Sequence, residues 1–349
     1  MVERKSDSKQ PGGGAAQVKM NIIETYDLTK IYNGKIRAVD GVSFSVKEGE
    51  IFGFLGPNGA GKTTTIKMLI TLNKPTSGTA KLAEYDVIKN QDEIRNLIGI
   101  VFQDPALDDV LTGRENLDFH ARMYGMKSDE RKKRIKAVLD LVKLEDRADS
   151  LVKTYSGGMR RRLEIARGLM HFPKILFLDE PTLGLDPQTR RSIWDYIKEI
   201  NSEQKMTIFL TTHYMEEADY LCNRVAIIDK GKIIVLGKPS DLKEKIGNDV
   251  VNIKCTNLGR CEDRLRKEKW IKSVKRTNEG ILIGAKEIER KLPVIIKRAE
   301  QEGLVIQSID IRKPTLEDVF LYYTGKTIRE EEAGAKDKLK SVGFGRGGR

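Results

Sequence analysis

No stretch of this chain comes near the ~18 consecutive apolar residues of a membrane-spanning helix. Residues 1–19 hold no apolar segment of the kind a signal peptide needs. Neither a span nor a secretory leader is therefore expected. Cysteine is scarce: Cys222, Cys255 and Cys261 are the only three, too few and too poorly placed for a disulfide framework or a four-ligand zinc site. A reducing cytosol fits them. Histidine is equally scarce. His120 and His171 fall inside helical patterns and read as structural, which leaves His213 in a chemically interesting position. Charge, by contrast, is plentiful. Lys and Arg number 63 against 51 Asp and Glu, a net +12, which permits attraction to nucleic acid or to anionic lipid headgroups. The basic residues are scattered among acids, so general solubility is the simpler reading. With 39% hydrophobic and 33% charged residues over 349 positions, the composition suits a soluble globular protein with room for two domains and tails.

The chain is organised around Gly56-Pro57-Asn58-Gly59-Ala60-Gly61-Lys62-Thr63-Thr64. This fits the phosphate-binding pattern of a glycine, four residues, Gly-Lys and Ser or Thr. Glycines let backbone N–H groups close around phosphates. Lys62 supplies a point charge for the outer phosphates, and the Thr63 hydroxyl is placed to bind Mg²⁺. Ile51-Phe52-Gly53-Phe54-Leu55 just before it reads as a buried strand, and residues 63–72 after it put Ile66, Leu69 and Ile70 on one helical face. The loop thus sits at a strand-to-helix junction, where a helix N-terminus favours anions.

In chain order, residues 1–19 carry Lys, Ser, Gln, Pro and three consecutive glycines and are expected to be disordered. Val42-Ser43-Phe44-Ser45-Val46 reads as a half-buried strand. Tyr32, between strand-like runs, could stack on adenine or be an ordinary half-buried strand tyrosine. From about Asp104 to Arg167 the pattern turns helical. Thr112 can cap a helix with Glu115 as its capping-box partner. Residues 128–143 place Ile135, Val138, Leu139 and Val142 on one side, and their Arg131-Lys132-Lys133-Arg134 run reads as a solvated face, with nucleic-acid contact as the sharper alternative. Ser156 is a natural helix N-cap with Gly157 and Gly158 behind it and Leu163, Ala166 and Met170 on one face. That is a second helix end suited to an anion, or simply a capped helix.

Ile175-Leu176-Phe177-Leu178 runs apolar into Asp179-Glu180. Two carboxylates at the end of a buried strand are costly without a use. Asp179 could hold Mg²⁺ through water and Glu180 could orient or deprotonate an attacking water, with Mg²⁺ and Lys62 keeping both ionised. A Pro- and Gly-rich loop, 181–187, leads to a helix around 189–200. Residues 207–212 form another buried strand that ends at His213, where ligands gather in open α/β sheets. The runs 225–229 and 232–236 flank Lys230-Gly231 as a hairpin.

The ordered set of phosphate loop, glutamine segment, Ser-Gly-Gly turn, Asp-Glu strand end, Gly-Leu-Asp loop and strand-end histidine resembles the ATP-binding subunit of ABC transporters, over about Ile22 to Gly237. The resemblance implies a P-loop NTPase fold with a helical subdomain at about 104–167, and hydrolysis of MgATP by in-line water attack on the γ-phosphate. It implies Tyr32 as the adenine-stacking aromatic and Gln103 as the glutamine that touches Mg²⁺ and water and links to the membrane partner. Ser156, Gly157 and Gly158 become the signature turn that meets the γ-phosphate held by another subunit. Asp179 becomes the Mg²⁺-associated aspartate, Glu180 the catalytic base, Asp186 the aspartate coupling two sites and His213 the γ-phosphate sensor. Where the family signature usually reads Leu-Ser-Gly-Gly-Gln, Tyr155 and Met159 stand at its ends here, and Met159 offers no side-chain amide. Pro314-Thr315-Leu316-Glu317-Asp318-Val319-Phe320, Thr324-Gly325 and Leu111-Thr112-Gly113-Arg114-Glu115-Asn116-Leu117 resemble daunorubicin-resistance-type exporter ATPases. That subfamily implies a homodimer or paired ATPases working on a separate transmembrane permease, at the cytoplasmic face of the membrane. The alternative is an ABC-type ATPase acting on nucleic acid or ribosomes.

After Gly237-Lys238-Pro239 the pattern changes to βαββαβ, which suggests a small ferredoxin-like α+β domain over 238–325 behind an ATPase domain over 20–237. Such sheets can bind RNA, but the exposed aromatic pairs of RNA-binding sheets are missing, so regulation or dimer contact is expected instead and nucleic acid is not expected as a partner. Residues 326–349, charged and then Gly/Arg-rich, are expected to be a disordered, solubilising tail.

Overall fold

A computed structural model describes residues 20–277, 280–301 and 303–327. The expected disordered tails, apart from Lys326 and Thr327, lie outside the described residues, as do Asn278 and Glu279 of the expected turn before Gly280.

Three sheets carry the described residues. In the central one the strands run in the order Lys232–Gly237, Arg224–Asp229, Ile51–Leu55, Thr207–Thr212, Ile175–Asp179, Ile98–Val101. All neighbours are parallel except the Lys232–Gly237 edge, which forms the expected hairpin. Its three middle strands are buried at every position. This is why they read as unbroken apolar runs rather than alternations: a parallel sheet covered on both faces has no wet side. An antiparallel sheet of Ile36–Lys47, Asn21–Tyr32, Ser77–Leu82 and Tyr85–Asp86 packs on one face. Between the two sits a cluster of Phe44, Phe52, Phe54 and Phe209, ring centroids 5.4 to 5.9 Å apart, a spacing at which aromatic pairs attract beyond simple burial.

The helical segment contains Gly113–Met123, Ser128–Leu141 and Gly157–Gly168. Its first helix is opened by the expected capping box: Thr112 Oγ1 accepts from Glu115 N at 3.2 Å while Glu115 Oε2 accepts from Thr112 N at 2.8 Å. Ile135, Val138, Leu139 and Val142 are all buried. Two sequence readings change here. In the Arg131–Arg134 run only Lys132 and Lys133 are solvated. Arg131 pairs with Asp118, and Arg134 donates to the Met170 and Leu169 carbonyls and lies 3.8 Å from the Phe172 ring centroid. Residues three apart share a helix face, so the run splits into an inward pair and an outward pair. His171, read as helical, lies in the turn after Gly168, stacked 4.0 Å from Tyr124 with Nε2 2.8 Å from the Ile98 carbonyl. It is structural, as expected, but through the turn.

The third sheet is fully antiparallel, in the order Ile271–Arg276, Ile281–Ala285, Asp249–Cys255, Ile306–Arg312. With helices Leu258–Leu265 and Ile288–Gln301 it makes the ferredoxin-like sandwich. No Phe, Tyr or Trp stands on these strands. The chain then does something the pattern does not announce: helix Leu316–Thr324 buries Leu316, Val319 and Phe320 in the same core as Leu221, Leu242 and Ile246.

Candidate functional site

The phosphate loop leaves the fully buried strand Ile51–Leu55 and enters helix Lys62–Leu69. Two glycines are required by space. A Cβ on Gly56 would lie 2.2 Å from the Ile228 carbonyl, and Gly61, at φ 106°, would put one 2.5 Å from the Ala38 carbonyl. Pro57 and Ala60 are buried under the loop, Asn58 and Gly59 form its exposed crest, and Thr63 and Thr64 are half-buried at the helix start. The result is a backbone concavity over a helix N-terminus, the arrangement that accepts phosphate.

Lys62 is 4% exposed and its ammonium is fully engaged: Nζ donates to the Gly56 carbonyl at 2.8 Å and the Pro57 carbonyl at 3.2 Å, and pairs with Glu180 Oε1 at 3.1 Å. Thr63 Oγ1 reaches Asp179 Oδ1 at 3.3 Å. The same carboxylate oxygen accepts from the Thr211 hydroxyl, whose oxygen in turn accepts from Glu180 N at 3.1 Å. Thr211 is a residue the sequence reading passed over; a hydroxyl directly after the apolar Ile208-Phe209-Leu210 run is the signal that marks it. Glu180 sits at φ 48°, in the left-handed region, a strained setting of the kind that clusters at working sites. Its Oε2 lies 3.1 Å from His213 Nδ1. Burial would raise the Glu180 pKa, but the His213 hydrogen bond and the Lys62 charge outweigh it and hold the carboxyl below its ordinary range. A carboxylate can only accept, so Nδ1 of His213 carries a proton.

Lys62, Thr63, Asp179, Glu180 and His213 are therefore brought together at the C-terminal edge of the central sheet. Gln103 follows the neighbouring strand Ile98–Val101 and is exposed. Tyr32 ends strand Asn21–Tyr32, half-buried, its hydroxyl accepting from Asn73 Nδ2 at 2.8 Å. The Ser-Gly-Gly turn stands apart. Ser156 caps helix Gly157–Gly168, accepting from Met159 N at 3.3 Å, and is exposed. With Gly158 it opens on a cavity of about 340 Å³ lined also by Met159, Arg162, Thr189 and Tyr196. Asp186 caps the next helix, Pro187–Gln204, accepting from Thr189 N at 2.9 Å.

Three more buried polar residues escaped the sequence reading. Arg161 and Glu164 pair at 2.7 Å, 7% and 4% exposed. Glu217 is wholly buried, accepting from Thr182 at 2.7 Å and Trp194 Nε1 at 2.8 Å, and burial raises its pKa. Nothing in the sequence separates Glu217 from its exposed neighbour Glu216.

As to a metal, no three His, Cys, Asp or Glu side chains among the described residues cluster so as to hold one. The Thr63 hydroxyl and Asp179 carboxylate offer two hard oxygens side by side, which suits Mg²⁺, an ion that keeps waters and takes its remaining ligands from substrate phosphates.

Residues 39–183 match the ABC transporter family and residues 237–324 match the C-terminal domain of DrrA1-3-like ATP-binding proteins. The linearmycin resistance ATP-binding protein LnrL of Bacillus subtilis (strain 168) is 40% identical over 88% of this chain and 100% of its own length. The daunorubicin/doxorubicin resistance ATP-binding protein DrrA of Streptomyces peucetius is 38% identical over 91% and 97%. Among solved structures, the dimeric ATP-binding cassette MJ0796, in a post-hydrolysis state bound to ADP and Pi, superposes with a TM-score of 0.56 at 31% identity. It covers 62% of this chain and 98% of that one.

Proposed function

This chain belongs to the ATP-binding subunits of ABC transporters, a family of ATPases, and we propose that it hydrolyses MgATP at two composite sites of a head-to-tail dimer and so drives a separate membrane-spanning subunit in export. The observation that carries this reading is the meeting of Lys62, Glu180 and His213 beside the Thr63–Asp179 pair at the edge of the sheet.

Lys62 and the backbone N–H groups of the loop crest and of the helix start at Lys62 and Thr63 bind the outer phosphates. Thr63 and Asp179 would hold Mg²⁺, with Gln103 as a further contact; the ion supplies charge neutralisation at the phosphates when bound. Tyr32 stacks on the base. Glu180 orients the attacking water and takes its proton. While Lys62 is paired with it, Glu180 is a weak base; once Lys62 turns to the phosphates, the carboxylate loses a lowering charge and its basicity rises. His213, held by Glu180 through Nδ1–H, offers Nε2 towards the γ-phosphate. Ser156, Gly157 and Gly158 act on the nucleotide of the partner copy, and Asp186 links the two sites.

For the membrane partner, no helix among the described residues is long and apolar enough to cross a bilayer. Support for docking beside Gln103 and Asp104 comes from a cavity of about 170 Å³ lined by Ala106, Leu111, Phe119, His120 and Met123. Phe119 and Met123 there are 63% and 70% exposed, and exposed apolar side chains grouped this way mark contact surfaces. The place of action is the cytoplasmic face of the membrane. Export is the direction because the relatives matched nearly end to end are named for antibiotic resistance, which also sets aside action on nucleic acid or ribosomes.

The test is Glu180→Gln, which keeps shape and removes the basic carboxylate. A positioned base contributes roughly 10²–10⁴-fold, so MgATP turnover should fall by that range while ATP stays bound. Parental turnover would assign the base elsewhere.

A further inference from the structure

Arg161 is the buried charge that the reaction above leaves without a task. It lies in the second turn of helix Gly157–Gly168, behind Ser156, and its guanidinium reaches three carbonyls on two separate stretches of backbone. Nε donates to the Pro181 carbonyl at 2.6 Å and Nη2 to the Asp179 carbonyl at 3.3 Å. Nη1 donates to the Phe102 carbonyl at 2.8 Å and to Glu164 Oε2 at 2.7 Å. Glu164 Oε1 in turn accepts from Ala106 N at 3.1 Å.

The backbone partners of the Arg161–Glu164 pair bracket two residues. Asp179 and Pro181 stand on either side of Glu180, and Phe102 and Ala106 stand on either side of the segment that holds Gln103. Glu180 is the strained member, at φ 48°, and such a conformation persists only where its surroundings over-determine it. A guanidinium is suited to this: it is planar, always charged, and its donors point in fixed directions. Because the pair is out of water, every donor left without an acceptor is costly, so the bracket resists partial opening. The helix whose tip is Ser156 is thereby tied to the backbone that presents Glu180 and Gln103 in the same chain.

We propose that Arg161 is a positioning residue for ATP hydrolysis: it clamps the peptides flanking Glu180 and the carbonyl preceding Gln103, and so couples the seating of the Ser156 helix to the alignment of the base. The proposal rests on the reading of Glu180 as the base. It follows that Arg161 acts on the chemical step through Glu180, and hardly on the affinity for nucleotide.

The test uses the full chain carrying Arg161→Lys, which keeps a cation beside Glu164 but replaces a three-way planar fork by a point donor. Turnover is measured per bound nucleotide, so that molecules lost to misfolding do not count. A misplacement of about 1 Å in a reacting group costs on the order of 10²-fold. The expected result is therefore a fall of about 10- to 100-fold in kcat with KM for ATP within about 3-fold of the parent. Combined with Glu180→Gln, Arg161→Lys should add no further loss, since a residue acting through another has nothing left to position. Parental turnover per bound nucleotide, or losses that multiply in the double variant, would overturn the proposal; where Arg161→Lys fails to fold, Arg161→Gln is read the same way. Parental turnover in Glu180→Gln overturns both readings, because no base then remains to position. An inactive Glu180→Gln beside a fully active Arg161→Lys overturns this one alone.

Discussion

At the scale of single residues, burial decides which titratable groups are poised and which are merely kept neutral. Lys62 and Glu180 are nearly as buried as any core side chain, yet each charge meets its opposite at 3.1 Å. Ionised groups survive out of water on those terms only. His120 is the contrary case. Burial lowers its pKa to about 4, helped by the nearby positive charge of Arg167 and by His171, and no acid faces it in compensation among the groups that shift it. Its folded pKa thus lies below its unfolded value of 6.5. As pH falls through that window the unfolded chain takes up the proton first, so stability is full above about 6.5 and declines towards about 4, by up to about 3 kcal/mol from this residue. Denaturant midpoints measured from pH 7 to pH 5 should fall for the parent and fall less for His120→Gln. Equal slopes would mean that His120 is not the group responsible.

At the scale of elements, the last helix shows what a local pattern does and does not announce. Residues 314–320 carry a family likeness in their letters, and their cap is readable: Thr315 Oγ1 accepts from Asp318 N at 3.3 Å, and Asp318 Oδ2 accepts from Thr315 N at 2.9 Å. Where the helix docks is not readable. It packs on helices Pro239–Ile246 and Met215–Leu221, and the second of these begins two residues after His213. Phe320 is fully buried there. Phe320→Ala should cost about 3–5 kcal/mol, the range for removing a buried ring, and lower the thermal midpoint of the whole chain. A midpoint unchanged from the parent would show that the helix is not part of the cooperative fold. The mixed fate of residues 131–134 makes the same point. Four consecutive basic residues look solvated in a linear reading, but a period of 3.6 turns the first and last towards Asp118 and the Leu169 and Met170 carbonyls.

At the scale of the whole molecule, the proposed reaction needs two copies. Ser156 and Gly158 open on a cavity shared with Thr189 and Tyr196, while Lys62 and Glu180 lie under the phosphate loop. On the proposed reading, that helix end meets a γ-phosphate held by a second copy. If each nucleotide touches both chains, ATP shifts a weak dimer equilibrium by mass action. Glu180→Gln protein should sediment mainly as monomer without nucleotide and as dimer with MgATP. Adding Ser156→Arg, which sets a bulky side chain at the contact, should abolish the ATP-dependent dimer. A dimer that survives it undiminished would show that Ser156 does not face the partner's nucleotide.

Much of this was open to the sequence because it depends on neighbours along the chain. Glycine conformations, helix caps and unbroken apolar strands are set within a few residues, so the phosphate loop, the Ser156 cap, the Asp179-Glu180 strand end and His213 could be placed before any coordinates. The βαββαβ order was readable for the same reason. What only the tertiary structure decided are pairings between residues far apart whose letters carry no mark of it. Arg161 differs from the exposed Arg122 in facing the Asp179 and Pro181 carbonyls across the fold, and Glu217 differs from Glu216 in facing Thr182 and Trp194. Whether such a charge is a surface ornament or a buried clamp depends on which water it loses, and that is fixed by packing, after every local preference has been satisfied.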